Sequence, residues 1–308
     1  MTTAVVFAYS EVGVRCLKVL LDHGVGIPLL FTHLDDSNET RWFKSVAQLA
    51  SEHGIRVVTP DDPNTIEWIA AGRSYAPDFV FSFYYRHMLK EGWLTVASHG
   101  ALNMHGSLLP KYRGRAPVHW AILNGETETG ASLHYMLEKP DAGALVDQQA
   151  VPILPDDDAL EVSRRVADAA ATVLDRALPK LIDGSAAARP LNLAAGAYFG
   201  RRRPEDGRID WRKSAKAIHD LVRAVAPPFP GAFSDIGGLR VFVHQTSLDA
   251  GAAEHPRCAP CLYVSGGRWY ADTADGKRLL ISKMQVNGRP VTPNDIPTAW
   301  ARQPVSLN

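Results

Sequence analysis

The feature that most constrains the fold is an alternation of short apolar runs with amphipathic stretches over the first hundred residues. Ala4 to Tyr9, AVVFAY, is apolar at every position, the pattern of a strand buried on both faces of a parallel sheet. Ser10-Glu11-Val12-Gly13 reads as a turn. Val14 to His23 then carries helical spacing at Val14, Leu17, Leu20 and Leu21 before Gly24, and Ile27 to Thr32 is a second strand. Trp42 to His53 predicts an amphipathic helix ended by Gly54, Ile55 to Val58 a strand, Asn64 to Ala71 a helix and Phe79 to Tyr84 a further buried strand. This order predicts an open, mostly parallel, Rossmann-like α/β sheet with right-handed crossovers. Such sheets bind ligands at the carboxyl ends of their strands, here at Tyr85-Arg86-His87-Met88-Leu89. The loop after the first strand is not G-x-G-x-x-G, so a dinucleotide site is not indicated.

Beyond the sheet's first half, Val118 to Leu123 predicts a helix, and Ala131 to Leu137 and Ala144 to Val151 are β-rich. Leu160 to Leu181 is the clearest helix, with Asp156 to Asp158 at its start and Gly184 at its end. Gly184 to Ala197, rich in Ala and Gly, reads as the connection leaving a first domain, so the expected domains are 1–200 and 201–308. In the second, Ser214 to Val225 predicts a helix. Short β segments around Gly237-Gly238, Gly266-Gly267, Asp275-Gly276 and Asn287-Gly288 read as hairpins of a small barrel.

Charge excludes some partners. Lys plus Arg and Asp plus Glu both number 33, a formal net charge of zero, so no global field favours nucleic acid or an anionic membrane. The Thr32 to Arg41 loop is net acidic, which also counts against a nucleic acid. The N-terminus MTTAVVFAYSEVG lacks a cationic lead, and no apolar run approaches the roughly 18 residues of a membrane span. Three cysteines, Cys16, Cys258 and Cys261, fit a reducing compartment. The expected location is the cytoplasm. Cys258-Ala259-Pro260-Cys261 leads into a strand and has no second ligand pair, so neither a redox motif nor a zinc site is indicated.

The chemistry concentrates in Ala101 to Pro117, ALNMHGSLLPKYRGRAP. If Ala101 to His105 is extended, Asn103 and His105 lie two apart and share a face, while Gly106 lets the backbone turn or approach a ligand. A carboxamide N–H can hold a developing oxyanion, and an imidazole can move a proton at neutral pH, a pair that suits acyl transfer to a nucleophile brought by a substrate. An arbitrary Asn-x-His more often satisfies itself or the backbone. Here Lys139-Pro140-Asp141-Ala142-Gly143 adds a carboxylate in a turn between two strand-like runs, where it would orient the imidazole and keep it basic. Arg201, Arg202 and Arg203, following Tyr198-Phe199-Gly200, suit a pyrophosphate with a stacked base, and read equally as an exposed basic linker.

Three blocks in order, LNMHGSLLPKYRGRAP, HWAILNGETETG and KPDAGALV, resemble the folate-dependent formyltransferases, a family that includes methionyl-tRNA formyltransferases and nucleotide-sugar N-formyltransferases. FAYSEVG, FSFYYRHML and FGRRRPEDGRIDW are most similar to members that formylate the 4-amine of UDP-4-amino-4-deoxy-L-arabinose in lipid A modification, the route to polymyxin resistance. The resemblance implies N10-formyltetrahydrofolate as donor, no metal, and an OB-like second domain. It implies Asn103, His105 and Asp141 as the catalytic residues. A donor pocket would be bordered by His87, Met88, Leu89, Arg115, Leu137, Glu138, Lys139, Pro140 and Asp141, with the nucleotide at Phe199, Arg201, Arg202 and Arg203. The implied partner is a UDP-linked amino sugar, with no nucleic acid and no membrane, and a homo-oligomer is compatible with it. In family members fused to a dehydrogenase that domain follows the barrel, so with a chain ending at Asn308 the dehydrogenase step is expected on a separate polypeptide. The alternatives are methionyl-tRNA, whose enzymes carry a basic insertion where Thr32 to Arg41 is acidic, and another nucleotide-linked amino sugar.

Overall fold

The computed structural model describes residues 1–34, 40–294, 296–300 and 303–307, so the centre of the acidic Thr32 to Arg41 loop lies outside the described residues. The chain divides into two compact units. One comprises Met1–Pro117, Glu128–Pro152 and Val162–Arg201; the other comprises Val118–Thr127, Ile153–Glu161 and Arg202–Asn308.

In the first unit the apolar runs become β1 (Thr3–Ala8), β2 (Gly26–Phe31), β3 (Val57–Val58), β4 (Phe79–Phe83) and β5 (Ala101–His105), all pairing in parallel. Between β5 and the next sheet strands come β6 (Arg113–Gly114), a short piece outside the main sheet, and then the hairpin strands β7 (Glu128–Tyr135) and β8 (Leu145–Pro152). Sheet order is β3-β2-β1-β4-β5-β7-β8, and β7 and β8 run antiparallel. The mostly parallel Rossmann-like sheet is therefore present, with its direction changing next to β5. One face is cemented by aromatics. Phe7 stacks on Phe31 at 4.3 Å and meets the edge of Trp93 at 4.8 Å, and the fully buried Trp93 donates its indole N–H to Pro63 O at 2.8 Å.

Two helices differ most from their predicted extents. Ser10 to Gly13 is not a turn but the first turn of α1 (Ser10–Asp22), where the Gly13 N–H donates to Tyr9 O at 3.1 Å. Gly13 serves close packing: a Cβ there would lie 3.2 Å from the Ala8 carbonyl carbon and 3.3 Å from a Val46 methyl. The helix α2 (Val46–Glu52) is shorter than the predicted Trp42 to His53, because Ser45 caps it through a Gln48 N–H to Oγ bond of 3.3 Å. Trp42 and Phe43 are held instead by ring contacts, and Phe43 meets Tyr9 edge-on at 5.3 Å. The later helices α3 (Ile66–Ser74), α4 (Glu91–Leu94), α5 (Pro117–Leu123) and α6 (Ala159–Ile182) follow in chain order, and α4 had no counterpart in the sequence reading. Asp158 and Glu161 form a reciprocal capping box at the start of α6, at 2.9 and 3.0 Å.

The linker pairs as β9 (Tyr198–Phe199) with β6. In the second unit, α7 (Ala215–Ala224) precedes an antiparallel sheet of β10 (Ala232–Ile236), β11 (Leu239–Ala252), β12 (Cys261–Ser265), β13 (Arg268–Asp272), β14 (Lys277–Val286) and β16 (Val305–Ser306), with β15 (Arg289–Pro290) paired to β14. The Gly-containing pairs at 237–238, 266–267 and 287–288 are its turns. Trp211, Ile218, Trp269 and Trp300 fill its core. Arg223 and Asp220, both buried, pair at 2.8 Å on α7. Cys258 is exposed and Cys261 buried, and neither is in a disulfide. Among the described residues no helix is long and apolar enough to cross a membrane.

Gly72 on α3 tests the aromatic face of the first unit. A Cβ at this position would stand 2.3 and 2.5 Å from ring carbons of Trp93, which is buried and tied by its N–H. Gly72→Ala is expected to lower the unfolding free energy by about 1–3 kcal/mol in urea titration. A variant as stable as wild type, or more stable as helix propensity alone would make it, would contradict this packing.

Candidate active site

The site is built on the last three residues of β5 and on what β7 sets opposite them. The register pairs Asn103 with His134 and His105 with Ser132, and directly opposed residues on antiparallel strands share a face. Asn103, His105 and His134 therefore gather on one side of the sheet. The Asn103 Nδ2 lies 3.2 Å from His134 Nε2. The His134 Nδ1 lies 2.8 Å from Tyr135 O, and a carbonyl can only accept, so Nδ1 carries the ring proton and Nε2 takes the hydrogen bond from the carboxamide.

His105 is fixed from the loop that follows β5. Its Nε2 lies 2.8 Å from Tyr112 O, so Nε2–H donates and Nδ1 is left as the nitrogen that can exchange a proton. That carbonyl is aimed by a closed loop. Ser107 Oγ donates to Lys111 O at 2.6 Å, Ser132 Oγ donates to Ser107 O at 2.6 Å, and Tyr112 sits in the left-handed region at φ 55°. Gly106 opens the bend that follows β5, as expected, without left-handed backbone. A Cβ there would fall 1.6 Å from Tyr84 Oη, so the tyrosine fills the space that glycine leaves.

Asp141 comes from the loop joining β7 to β8, itself at φ 49°. One carboxylate oxygen accepts the Gly114 N–H at 2.8 Å. The other lies 3.6 Å from His105 Nδ1 and 3.5 Å from His134 Nε2. Burial pushes this carboxyl up. The His105 ring, the His134 ring and the Gly114 N–H outweigh it and hold Asp141 well below the usual carboxylate range. At neutral pH an ionised carboxylate thus lies within 3.6 Å of a nitrogen of each of two imidazoles, an arrangement that stabilises a proton added to either ring. Left-handed backbone recurs around it at Tyr84, Tyr112, Ala116 and Asp141, the kind of strain that concentrates at functional sites.

The sequence-predicted residues fall into three groups. Asn103, His105 and Asp141 converge, with His134 between Asn103 and Asp141; nothing local in the sequence singles out His134, and the β5/β7 register reveals it. The second group surrounds the strand ends. His87 and Met88 are exposed, while Leu89 is buried in the aromatic core, leaving only its backbone for a ligand. Asn64 ties this loop by donating to Met88 O at 3.1 Å and accepting from Lys90 N at 2.8 Å. Arg115 donates to Arg86 O at 3.3 Å, and Leu137, Glu138 and Lys139 are exposed with Pro140 in the loop leading to Asp141. The third group is not one cluster. Phe199 stacks on Tyr112 at 5.0 Å in the first unit, and Arg201 is exposed there. Arg202, in the second unit, lies over Trp120 at 5.1 Å and donates to Asp206 O at 3.0 Å, while the Arg203 N–H donates to Asp206 Oδ2 at 2.6 Å. Arg113, part of the basic cluster in the sequence, is buried and donates to Leu193 O and Gly196 O at 3.4 and 3.3 Å.

The fold has close counterparts among solved structures. An N-formyltransferase from Helicobacter canadensis, in complex with folinic acid and dTDP-3-aminofucose, superposes with a TM-score of 0.70 at 19% identity, covering 91% of this chain and 99% of that one. WlaRD, a sugar 3N-formyl transferase studied with dTDP and 5-N-formyl-THF, gives a TM-score of 0.70 at 20% identity, over 94% and 99% of the two chains. HypX from Aquifex aeolicus, in complex with tetrahydrofolic acid, gives 0.63 at 18% identity over 92% of this chain but 44% of that one. At these identities the likeness is one of fold. The sequence itself matches the formyl transferase profile over residues 23–178, about half its length, and the formyl transferase C-terminal domain profile over residues 202–297. With an amide, two imidazoles and an ionised acid assembled at the end of β5, and with both of its regions matched in order, the chain belongs to the formyl transferase family.

Proposed function

We propose that this chain transfers a formyl group from N10-formyltetrahydrofolate to the amine of a nucleotide-linked amino sugar, and that within this class the acceptor is UDP-4-amino-4-deoxy-L-arabinose. The observation that carries the reading is the convergence of the Asn103 carboxamide, the His105 Nδ1 and the ionised Asp141 at the end of β5. Residues 1–200 would form the catalytic domain and 201–308 a second domain, in a cytoplasmic protein.

The residues around the strand ends fit the donor. Met88 and Leu137, on loops after β4 and β7, are 51% and 56% exposed, apolar area that a flat ring system would cover. The main chain of His87 to Leu89, with Arg115 nearby on Arg86 O, offers polar groups for the ring edge, and Glu138 to Asp141 would border the pocket. The donor supplies an activated formyl carbon. His105 Nδ1 takes a proton from the attacking amine as the new N–C bond forms, and Asp141 stabilises the resulting imidazolium across the 3.6 Å gap. The proton passes to N10 as the N10–formyl bond breaks and tetrahydrofolate leaves. Asn103 Nδ2 gives a hydrogen bond to the carbonyl oxygen as negative charge develops there. On the nucleotide side Phe199, Arg201, Arg202 and Arg203 are the proposed contacts.

The sugar and the base divide two readings. The motifs FSFYYRHML and FGRRRPEDGRIDW favour the UDP-aminoarabinose acceptor. The dTDP-3-aminofucose and dTDP in two fold counterparts favour a thymidine-linked amino sugar instead. Purified protein incubated with N10-formyltetrahydrofolate and a panel of UDP- and dTDP-linked amino sugars separates them by mass spectrometry of the product. Formylation of the UDP-linked sugar alone is expected, turnover of a dTDP-linked sugar alone would move the acceptor, and no product from any sugar would sink the class.

Three variants check the assigned roles. Asn103→Ala is expected to lower kcat by about 10²–10³, the usual cost of one oxyanion donor. His105→Ala should cost at least about 10². Wild-type rates in either folded variant would refute its role. Asp141→Asn tests the charge state. Because the folded carboxyl is held low, its ionised form stabilises the fold above the unfolded value of about 3.9, and that contribution fades as pH falls toward the folded value. The variant should therefore be less stable than wild type at neutral pH, with a deficit that shrinks below about pH 4. A deficit that grows on acidification would mean that Asp141 is protonated in the fold.

A further inference from the structure

We propose that His134 is a positioning residue for the transfer: it sets which end of the Asn103 carboxamide faces the reacting carbonyl. The proposal rests on the formyl transfer reading and assigns a role to a residue which that reading does not use.

A carboxamide presents its oxygen or its nitrogen to a given direction with almost no change of shape. Only the nitrogen end can stabilise an oxyanion, since the oxygen would repel it, so a site that relies on Asn103 needs something to choose between the two. His134 makes the choice through its backbone contact. Its Nδ1 is 2.8 Å from Tyr135 O, which accepts only, so the proton sits on Nδ1 and the lone pair on Nε2. That lone pair faces Asn103 at 3.2 Å. The amide nitrogen can donate to it, whereas the amide oxygen there would set two acceptors against each other.

Three features keep this contact in place. The β5/β7 register puts Asn103 directly opposite His134, so the backbone sets the distance. His134 is 1% exposed, so its ring has no solvent to turn toward. The remaining neighbour of Nε2, an Asp141 oxygen at 3.5 Å, lies further off than the amide nitrogen at 3.2 Å. With one Nδ2 hydrogen held by His134, the second remains for the substrate oxygen.

The test combines kinetics with ring spectroscopy. His134→Leu removes the acceptor and is expected to lower kcat on the order of ten- to a hundredfold with KM for both substrates unchanged. His134→Gln, whose carbonyl can accept from Asn103, should recover most of that loss. In an Asn103→Ala background His134→Leu should cost nothing further, because the group it positions is gone. Losses that multiply in the double variant, or a KM change with kcat intact, would overturn the proposal in favour of a general structural role. Long-range proton–nitrogen NMR on the wild type, which needs no variant to fold, should show His134 Nδ1 protonated and Nε2 bare. Wild-type transfer with Nδ1 bare would overturn the His134 assignment alone, whereas the expected ring signals without any transfer would overturn the functional reading beneath it.

Discussion

The structure of the site depends on one carboxylate held at a junction of three backbone segments. Asp141 arrives from the β7/β8 loop, takes an N–H from Gly114 beyond the β5 loop, and faces rings from β5 and β7. Each partner gains from it: a partly buried N–H donates to it, and a proton on either imidazole is stabilised by its charge. The carboxylate in turn stays ionised despite burial because of those partners. Stability and chemistry thus share the same contacts, and the loop carrying Asp141 adopts left-handed backbone to make them.

The tautomers follow from the main chain. Tyr112 O fixes the proton of His105 on Nε2, and Tyr135 O fixes that of His134 on Nδ1. The other ring nitrogens are consequently set beside Asp141 and Asn103 before any substrate arrives. The loop that aims Tyr112 O is cross-linked by Ser107 and Ser132, so a proton-handling geometry is transmitted from ordinary serine hydrogen bonds on β7. This is preorganisation in the sense that matters for electrostatic catalysis: the dipoles are set by the fold and need not reorganise.

Much of this was legible in the residues. Unbroken apolar runs such as AVVFAY gave the buried parallel strands, paired glycines gave the turns of the second unit, and the two-residue spacing of Asn103 and His105 put them on one face. What stayed hidden depended on long-range pairing. His134 sits in a strand-like run whose antiparallel register with β5 has no local signature, and a βα alternation leads one to expect parallel neighbours. Ser10 to Gly13 has the composition of a turn, yet Gly13 is small because a helix must lie against Ala8 and Val46. The same holds for Gly106, whose reason is the Tyr84 hydroxyl, and for Arg113, whose charge is used up on two carbonyls of the linker.

The central claim is a proton inventory at the end of β5, and neutron diffraction from deuterated crystals at neutral pD reads it most directly. Deuterium is expected on His105 Nε2 toward Tyr112 O and on His134 Nδ1 toward Tyr135 O, with both oxygens of Asp141 bare. Deuterium on Asp141, or on the His134 nitrogen that faces Asn103, would contradict the account.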